Sequence, residues 1–249
     1  MADAGADAAG RVERMNRFNL SGQSIGQKGE RTRARLIGAT FALFEASKGL
    51  PPTAAAIARE AEISPPTFYL YFPDAGAAIL AAIEPIGDEL EPIVALLEAR
   101  WPPETLFEQA RGFVEAYFDY WISYASALRL RNRLADQGDK RFVELRVASV
   151  RPLTAAIADK IRGSELQVAG LAHPQDLASV LVTALERVAT VHALNLYPES
   201  HRDRGGLVSA LAFLIVRALG ADLAAGADSA QAARPAKRGR RAQRNAVTA

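Results

Sequence analysis

Two adjacent prolines, Pro65 and Pro66, fall inside the stretch TAAAIAREAEISPPTFYLYF, Thr53 to Phe72, whose two halves otherwise have helical spacing. Proline has no backbone N–H and its ring clashes with the preceding turn. It therefore breaks a helix interior but is tolerated in a first turn, where that N–H would have no intrahelical acceptor. The stretch is read as two short helices. Thr53 caps the first, which turns Ile57 and Ala61 inward and stops near Ala61; Ser64 caps the second, which opens on the prolines. Only the link Glu62–Ile63–Ser64 separates them, and the second helix crowds Phe68, Tyr69, Tyr71 and Phe72 into five positions.

Helical spacing continues along the rest of the chain. A helix from about residue 29 to 47 repeats Leu36, Ile37, Thr40, Phe41 and Phe44 at intervals of three and four. Asp74 can cap a fourth helix, which Pro85 and Pro92 should kink or divide. Further helices are expected over about 104–125, 127–136, 140–162 (closed by Gly163), 175–196 and 207–219. No run of alternating β-branched residues and no hairpin signal interrupts them, so the expected class is all-α. The absence of cysteine excludes disulfides, thiolate metal sites and cysteine nucleophiles, and favours a reducing compartment. The N-terminus lacks the basic-then-apolar order of a secretory signal. The longest apolar run, Leu207 to Gly220, is shorter than the ~20 residues of a spanning helix and contains Arg217, so a cytoplasmic protein is expected.

The net charge of +2 hides an uneven distribution. Residues 11–35 hold seven Lys or Arg against two acids and residues 227–249 hold six against one, whereas residues 73–226 hold fifteen against twenty. Basic ends on an acidic body suggest that the ends meet a polyanion.

A short helix, a tight turn and a second short helix form the helix-turn-helix pattern, in which the second element of the domain crosses the phosphate backbone and the third enters the major groove. Small or polar residues in the first turn of that third helix can approach base edges, and longer groups beyond them can reach phosphates. SPPTFYLYF supplies both kinds. Over about residues 30–80, RARLIGATFALFEASKG, TAAAIAREAEIS and PTFYLYF followed by AAIL resemble the DNA-binding domain of TetR-family transcriptional regulators.

That resemblance implies that Thr53 caps its helix and donates to a phosphate, and that Pro65, Pro66 and Thr67 face base edges, with Ser64, the cap of their helix, among the DNA-binding residues. Tyr69 and Tyr71 would touch the DNA backbone, while Phe68 and Phe72 pack inward against Phe41, Phe44 and Ile57. The prolines cannot donate a hydrogen bond, so their base contacts would be apolar. Two departures stand out: Glu62 replaces the family's turn glycine, implying a strained backbone, and Ala75 stands where the family has a lysine. Lys28, Arg31 and Arg33, together with Arg35, are the cations expected to make up the missing phosphate contact.

The resemblance further implies a helical effector-binding and dimerisation domain. Phe113, Tyr117, Trp121 and Tyr124, with Phe107 and Phe118 on an adjoining face, are its candidate pocket residues, suited to a small hydrophobic or aromatic effector. Leu177, Leu181 and Val188, with Leu207, Leu211 and Leu214, are the candidate dimer residues. Arg129, Arg131 and Arg133 are read as a solvated surface. His173, His192 and His201 lack metal-ligand spacing. No catalytic constellation and no cofactor are expected.

The expected organisation is a disordered arm over 1–26, a helix-turn-helix domain over 27–76, an effector and dimerisation domain over 77–223 and a disordered basic tail over 224–249. The expected function is a homodimeric regulator, most simply a repressor released from a palindromic operator by its effector, with Pro85 and Pro92 helping to transmit the change. The alternative is a nonspecific or architectural DNA-binding protein without an effector.

Overall fold

Each short helix near the N-terminus begins where a side chain takes up an amide that the helix cannot satisfy itself. Thr53 Oγ1 accepts from the Ala56 amide at 3.2 Å, Ser64 Oγ from Thr67 at 3.4 Å and Asp74 Oδ1 from Ala77 at 2.7 Å. The protein, seen in a computed structural model, is described over residues 26–46, 49–164, 173–195 and 203–220. The expected disordered arm, apart from Gly26, and the basic tail lie outside the described residues, as does His201.

Among the described residues the structure is all-α. Helices α1 (Gln27–Ala46), α2 (Ala54–Glu60) and α3 (Pro65–Tyr71) are followed by α4 (Ala75–Ile83), a 3-10 segment (Glu84–Leu90) and α5 (Glu91–Glu98). Then come a 3-10 turn (Pro103–Thr105), α6 (Leu106–Ser123), α7 (Ala125–Asp136), α8 (Lys140–Arg162), α9 (Pro174–Ala193) and α10 (Arg204–Ala218). Pro85 and Pro92 divide the fourth helix as expected, each sitting at the start of a new element, where its missing N–H does least harm. No helix among the described residues is long and apolar enough to cross a membrane.

Two apolar clusters organise these helices. Leu36, Ile57, Ala58, Phe68, Phe72 and Ala78 form the smaller. The larger draws on α4 to α10 and is filled by Phe113, Phe118, Trp121 and Phe142. Helix α4 serves both, with Ala78 in the small cluster and Ile79 and Ile83 in the large one. Phe44 of α1 also belongs to the large cluster. Phe41 is 42% exposed and meets the Phe44 ring edge-on at 5.5 Å. The expected packing of Phe68 and Phe72 against Phe41 and Phe44 is thus corrected. Helix α1 turns Leu36 toward α2 and α3, while Phe44, eight residues on, has reached the neighbouring core.

Candidate nucleic-acid interface and a buried polar centre

The turn joining α2 to α3 is built by backbone geometry. Ile63 N–H donates to Ala58 O at 2.8 Å and Glu62 N–H to Arg59 O at 3.0 Å, the paired bonds that close a helix through one left-handed residue. That residue is Glu62, with φ of 52°, a conformation that costs a side-chain-bearing residue about 1 kcal/mol where glycine would adopt it freely. Arg35 Nη2 donates to the Glu62 carbonyl at 3.0 Å and ties the turn to α1. The strain expected from Glu62 is therefore present.

Beyond the turn, the buried and exposed residues of α3 alternate as a helix demands. Phe68 and Phe72 are buried, Pro65, Pro66, Tyr69 and Leu70 are exposed, and Thr67 and Tyr71 are half-buried. The Ser64 and Thr67 hydroxyls lie 2.7 Å apart and hydrogen-bond to each other. Thr53 is exposed at the start of α2. On α1, Lys28 and Arg31 are exposed, but Arg33 is half-buried. Its guanidinium lies 5.3 Å from the Phe72 ring centre, and burial lowers its pKa while nearby Glu84 raises it. Reciprocally, burial raises the Glu84 pKa and Arg33 opposes that shift. Arg33 and Arg35 thus brace the domain, a role their placement in a basic run did not disclose.

In the larger core, Arg131 is only 3% exposed, which corrects its reading as a solvated surface residue. Its Nη2 donates to Glu186 Oε1 at 3.0 Å and its Nε to Asn132 Oδ1 at 3.0 Å, while Asn132 Nδ2 donates to the same Glu186 oxygen at 3.0 Å. A charge this deep needs such a network to offset its desolvation. Four of the predicted pocket residues, Phe113, Tyr117, Phe118 and Trp121, are buried on α6 within the larger cluster; Tyr117 lies near Arg131 and Glu186, and Phe118 lies 5.7 Å from His192 between ring centres. Phe107 and Tyr124 are half-buried at the cluster's margin. The Tyr120 hydroxyl is buried with no hydrogen-bond partner among the described residues, and Trp121 Nε1 is buried close to the Tyr117 hydroxyl. Tyr120, which sequence reasoning passed over, stands between the Tyr117 and Tyr124 rings at 6.1 and 5.5 Å.

Burial pushes the Tyr120 hydroxyl up to about 12 against an ordinary value near 10, and burial, followed by Glu186, pushes Tyr117 up as well. Above pH 10 the unfolded chain gives up the Tyr120 proton and the folded chain keeps it, so stability is full below about pH 10 and declines as the pH rises toward about 12. Tyr120→Phe is expected to flatten that alkaline decline in melting temperature. Identical slopes for the variant and the wild type would show that the hydroxyl is not shielded.

Side chains of α7 and α8 reach back to the small domain. Arg133 Nη1 donates to Gly49 O at 3.2 Å, and the Arg129 side chain lies over Gly49, whose φ of 79° suits glycine. Arg141 Nη1 donates to both oxygens of Asp74 at 3.1 and 3.2 Å, and its Nη2 to Asp139 Oδ2 at 2.7 Å, so one guanidinium joins the caps of α4 and α8. Of the candidate dimer residues, Leu181 and Leu211 are buried in this chain's own core, Leu177, Val188 and Leu207 are half-buried, and Leu214 is 49% exposed. Exposed Val180 and Phe213, not singled out from sequence, extend the apolar surface of α9 and α10. Among the described residues no group of three His, Asp or Glu is placed to hold a metal ion.

A helix-turn-helix unit joined to a larger helical body defines a class of DNA-binding regulator. Residues 94–216 match the family described as "Tetracyclin repressor-like, C-terminal domain", so the chain is similar to TetR-family transcriptional regulators. The fold is similar to that of a TetR-like transcriptional regulator from Rhodococcus sp. RHA1, at 22% identity over 77% of this chain and 97% of that one, with a TM-score of 0.56. It is similar also to a TetR-family regulator from Streptomyces coelicolor, at 19% identity over 83% and 90% of the two chains, TM-score 0.55. A third is FadR from Bacillus subtilis, solved in complex with stearoyl-CoA, at 15% identity over 74% and 98%, TM-score 0.52. No curated protein matches the chain by sequence.

Proposed function

We propose that the protein is a cytoplasmic homodimeric repressor that holds a palindromic operator and leaves it when a small hydrophobic or aromatic effector binds. It works by binding alone, without catalysis. The observation that carries the reading is the outward face of α3: Pro65, Pro66 and Tyr69 are exposed while Phe68 and Phe72 anchor the opposite side. In this reading residues 27–76 are the DNA-binding domain and 77–223 the effector and dimerisation domain. Thr53, Tyr69, Tyr71, Lys28 and Arg31 take phosphates, with Ser64, Pro65, Pro66 and Thr67 at the bases.

The effector would enter the large core beside Phe113, Tyr117, Phe118 and Trp121, its polar end meeting Tyr120 and Trp121 Nε1. The stearoyl-CoA held by the Bacillus subtilis protein supports a mainly apolar effector. Helix α7 carries Arg131 within that core and Arg133 on the Gly49 carbonyl, so a shift of α7 moves the small domain. The 3-10 segment Glu84–Leu90, with Pro85 near its start and Pro92 just beyond its end, is the second link. An effector acts only if it favours one spacing of the two α3 helices over another.

Selection of bound fragments from random duplexes tests this. The expected yield is a palindrome with half-site centres about 34–36 Å apart or a multiple of that. Equal affinity for selected and random duplexes would favour the nonspecific alternative instead. Leu214→Glu places a charge on the apolar surface of α9 and α10. It is expected to weaken dimerisation at least about tenfold in sedimentation and to lower operator affinity with it. A variant that remained dimeric would remove α10 from the interface.

A further inference from the structure

We propose that α3 reads its operator chiefly through thymine methyl groups, with Pro65, Pro66 and Leu70 as the reading surface. The inference rests on the reading that α3 enters the major groove.

Hydrogen-bonded readout of bases relies on a few side chains: Arg or Lys for guanine, Asn or Gln for adenine, Asp or Glu for cytosine. From Ser64 to Pro73 the chain has none of them. Four hydroxyls are the only side-chain hydrogen-bonding groups in that span. Ser64 and Thr67 are bonded to each other at 2.7 Å, and Ser64 also accepts from the Thr67 amide, so at least one hydroxyl proton is already used. Tyr71 is half-buried. The two prolines at the tip bring no N–H.

What α3 does present is apolar. Pro65 and Tyr69 are four residues apart, as are Pro66 and Leu70, and all four are exposed, so they form two neighbouring rows on the outward side of the helix. Leu70 is 44% exposed on a helix whose inner face already has its anchors in Phe68 and Phe72. The small core leaves it out. In the major groove the one apolar group on a base edge is the C5-methyl of thymine, which distinguishes T·A and A·T from both G·C orientations. Exposed cations lie on the two preceding helices, Lys28 and Arg31 on α1 and Arg59 on α2, alongside exposed Glu30, Glu60 and Glu62. Pro66 and Leu70 are separated by about 6 Å of helix rise. That matches about two base steps of 3.4 Å, so the contacted methyls are expected about two base pairs apart.

Replacing thymine by deoxyuridine removes the methyl and leaves every hydrogen-bonding group in place, so it isolates this contact. The experiment uses the full chain and a duplex selected from random sequence, with affinity read by fluorescence anisotropy at fixed salt. Each thymine of both half-sites is changed to deoxyuridine in turn, and the same positions are then filled with cytosine and with 5-methylcytosine paired to guanine.

At one or two positions per half-site the loss on going to deoxyuridine is expected to be about threefold to tenfold. At those positions 5-methylcytosine should bind better than cytosine. Leu70→Ala, which touches no buried contact, should melt like the wild type and bring the thymine-to-deoxyuridine ratio at one position close to one. If affinity is the same for thymine and deoxyuridine at every position, the inference is wrong while the DNA-binding reading stands. If Leu70→Ala leaves every ratio unchanged, Leu70 is not part of the reading surface. If no duplex is enriched at all, the DNA-binding reading fails first and the inference with it.

Discussion

Arg131→Ala is expected to lower the unfolding free energy by about 3–5 kcal/mol, because it leaves the Glu186 carboxylate beside Tyr117 and Tyr120 without its counter-charge. The guanidinium contributes three things at once: the ion pair at 3.0 Å, the bond to Asn132, and the volume that fills the space between α7 and α9. The Glu186 side chain is only 20% exposed, so water recovers little of its lost solvation. Replacing both charges, as Arg131→Met with Glu186→Leu, is expected to be close to neutral or stabilising, since the pair's mutual attraction roughly balances the expense of removing two ions from water. Denaturant titrations of the wild type, the two single variants and the double variant, at one protein concentration, give the coupling directly. A single variant that lost less than about 1 kcal/mol would place the pair in solvent. If the effector's polar end sits beside this network, the double variant keeps its fold and its DNA affinity but loses the effector response.

Arg131 also shows where sequence reasoning stopped. Arg129, Arg131 and Arg133 alternate along one helix, and a cluster of like charges suggests a wet surface. Yet Arg131 lies three residues after Leu128 and four before Ala135, both buried, so it sits on the apolar stripe of α7. That spacing was the available signal. Glu186, which makes the burial tolerable, is 55 residues away and no local pattern points to it.

The features that were legible are those decided within a few residues. Thr53, Ser64 and Asp74 cap helices because their oxygens reach an amide three positions on. Glu62 is forced into a left-handed conformation by the brevity of the turn, and Pro85 and Pro92 divide a helix by their own covalent geometry. Features decided by a distant neighbour were not legible. Phe41 and Phe44 are equally aromatic, and only the position of the larger core selects Phe44. Arg33 and Arg35 count as two charges in a basic run, but Phe72 and the Glu62 carbonyl occupy them. Leu181 and Leu211 share the composition of a contact face, yet their own chain covers them.

Adjacent residues on α3 are expected to fail in opposite ways. Phe68→Ala removes a wholly buried ring from a small cluster that has few other large side chains, an expected loss of about 3–5 kcal/mol. Because α4 contributes Ala78 to that cluster and Ile79 to the larger one, the damage should appear first as early melting of the N-terminal domain, ahead of the main transition. DNA binding is lost there through unfolding. Tyr69→Ala removes a side chain that is 52% exposed and whose ring contact, edge-on to Phe68 at 5.3 Å, is worth about 1 kcal/mol at most. The melting profile should stay close to wild type while operator affinity drops about tenfold or more, as expected when a hydrogen bond to a charged phosphate is removed. Tyr69→Phe separates hydroxyl from ring: if the phosphate contact runs through the hydroxyl, it loses nearly as much affinity as Tyr69→Ala and no stability. The pair is decisive because both residues lie on one turn of one helix. If Tyr69→Ala melted as early as Phe68→Ala, the exposed side of α3 would be structural. If it bound the operator like the wild type, α3 would not grip DNA through this face, and the reading built on its outward surface would have to be abandoned.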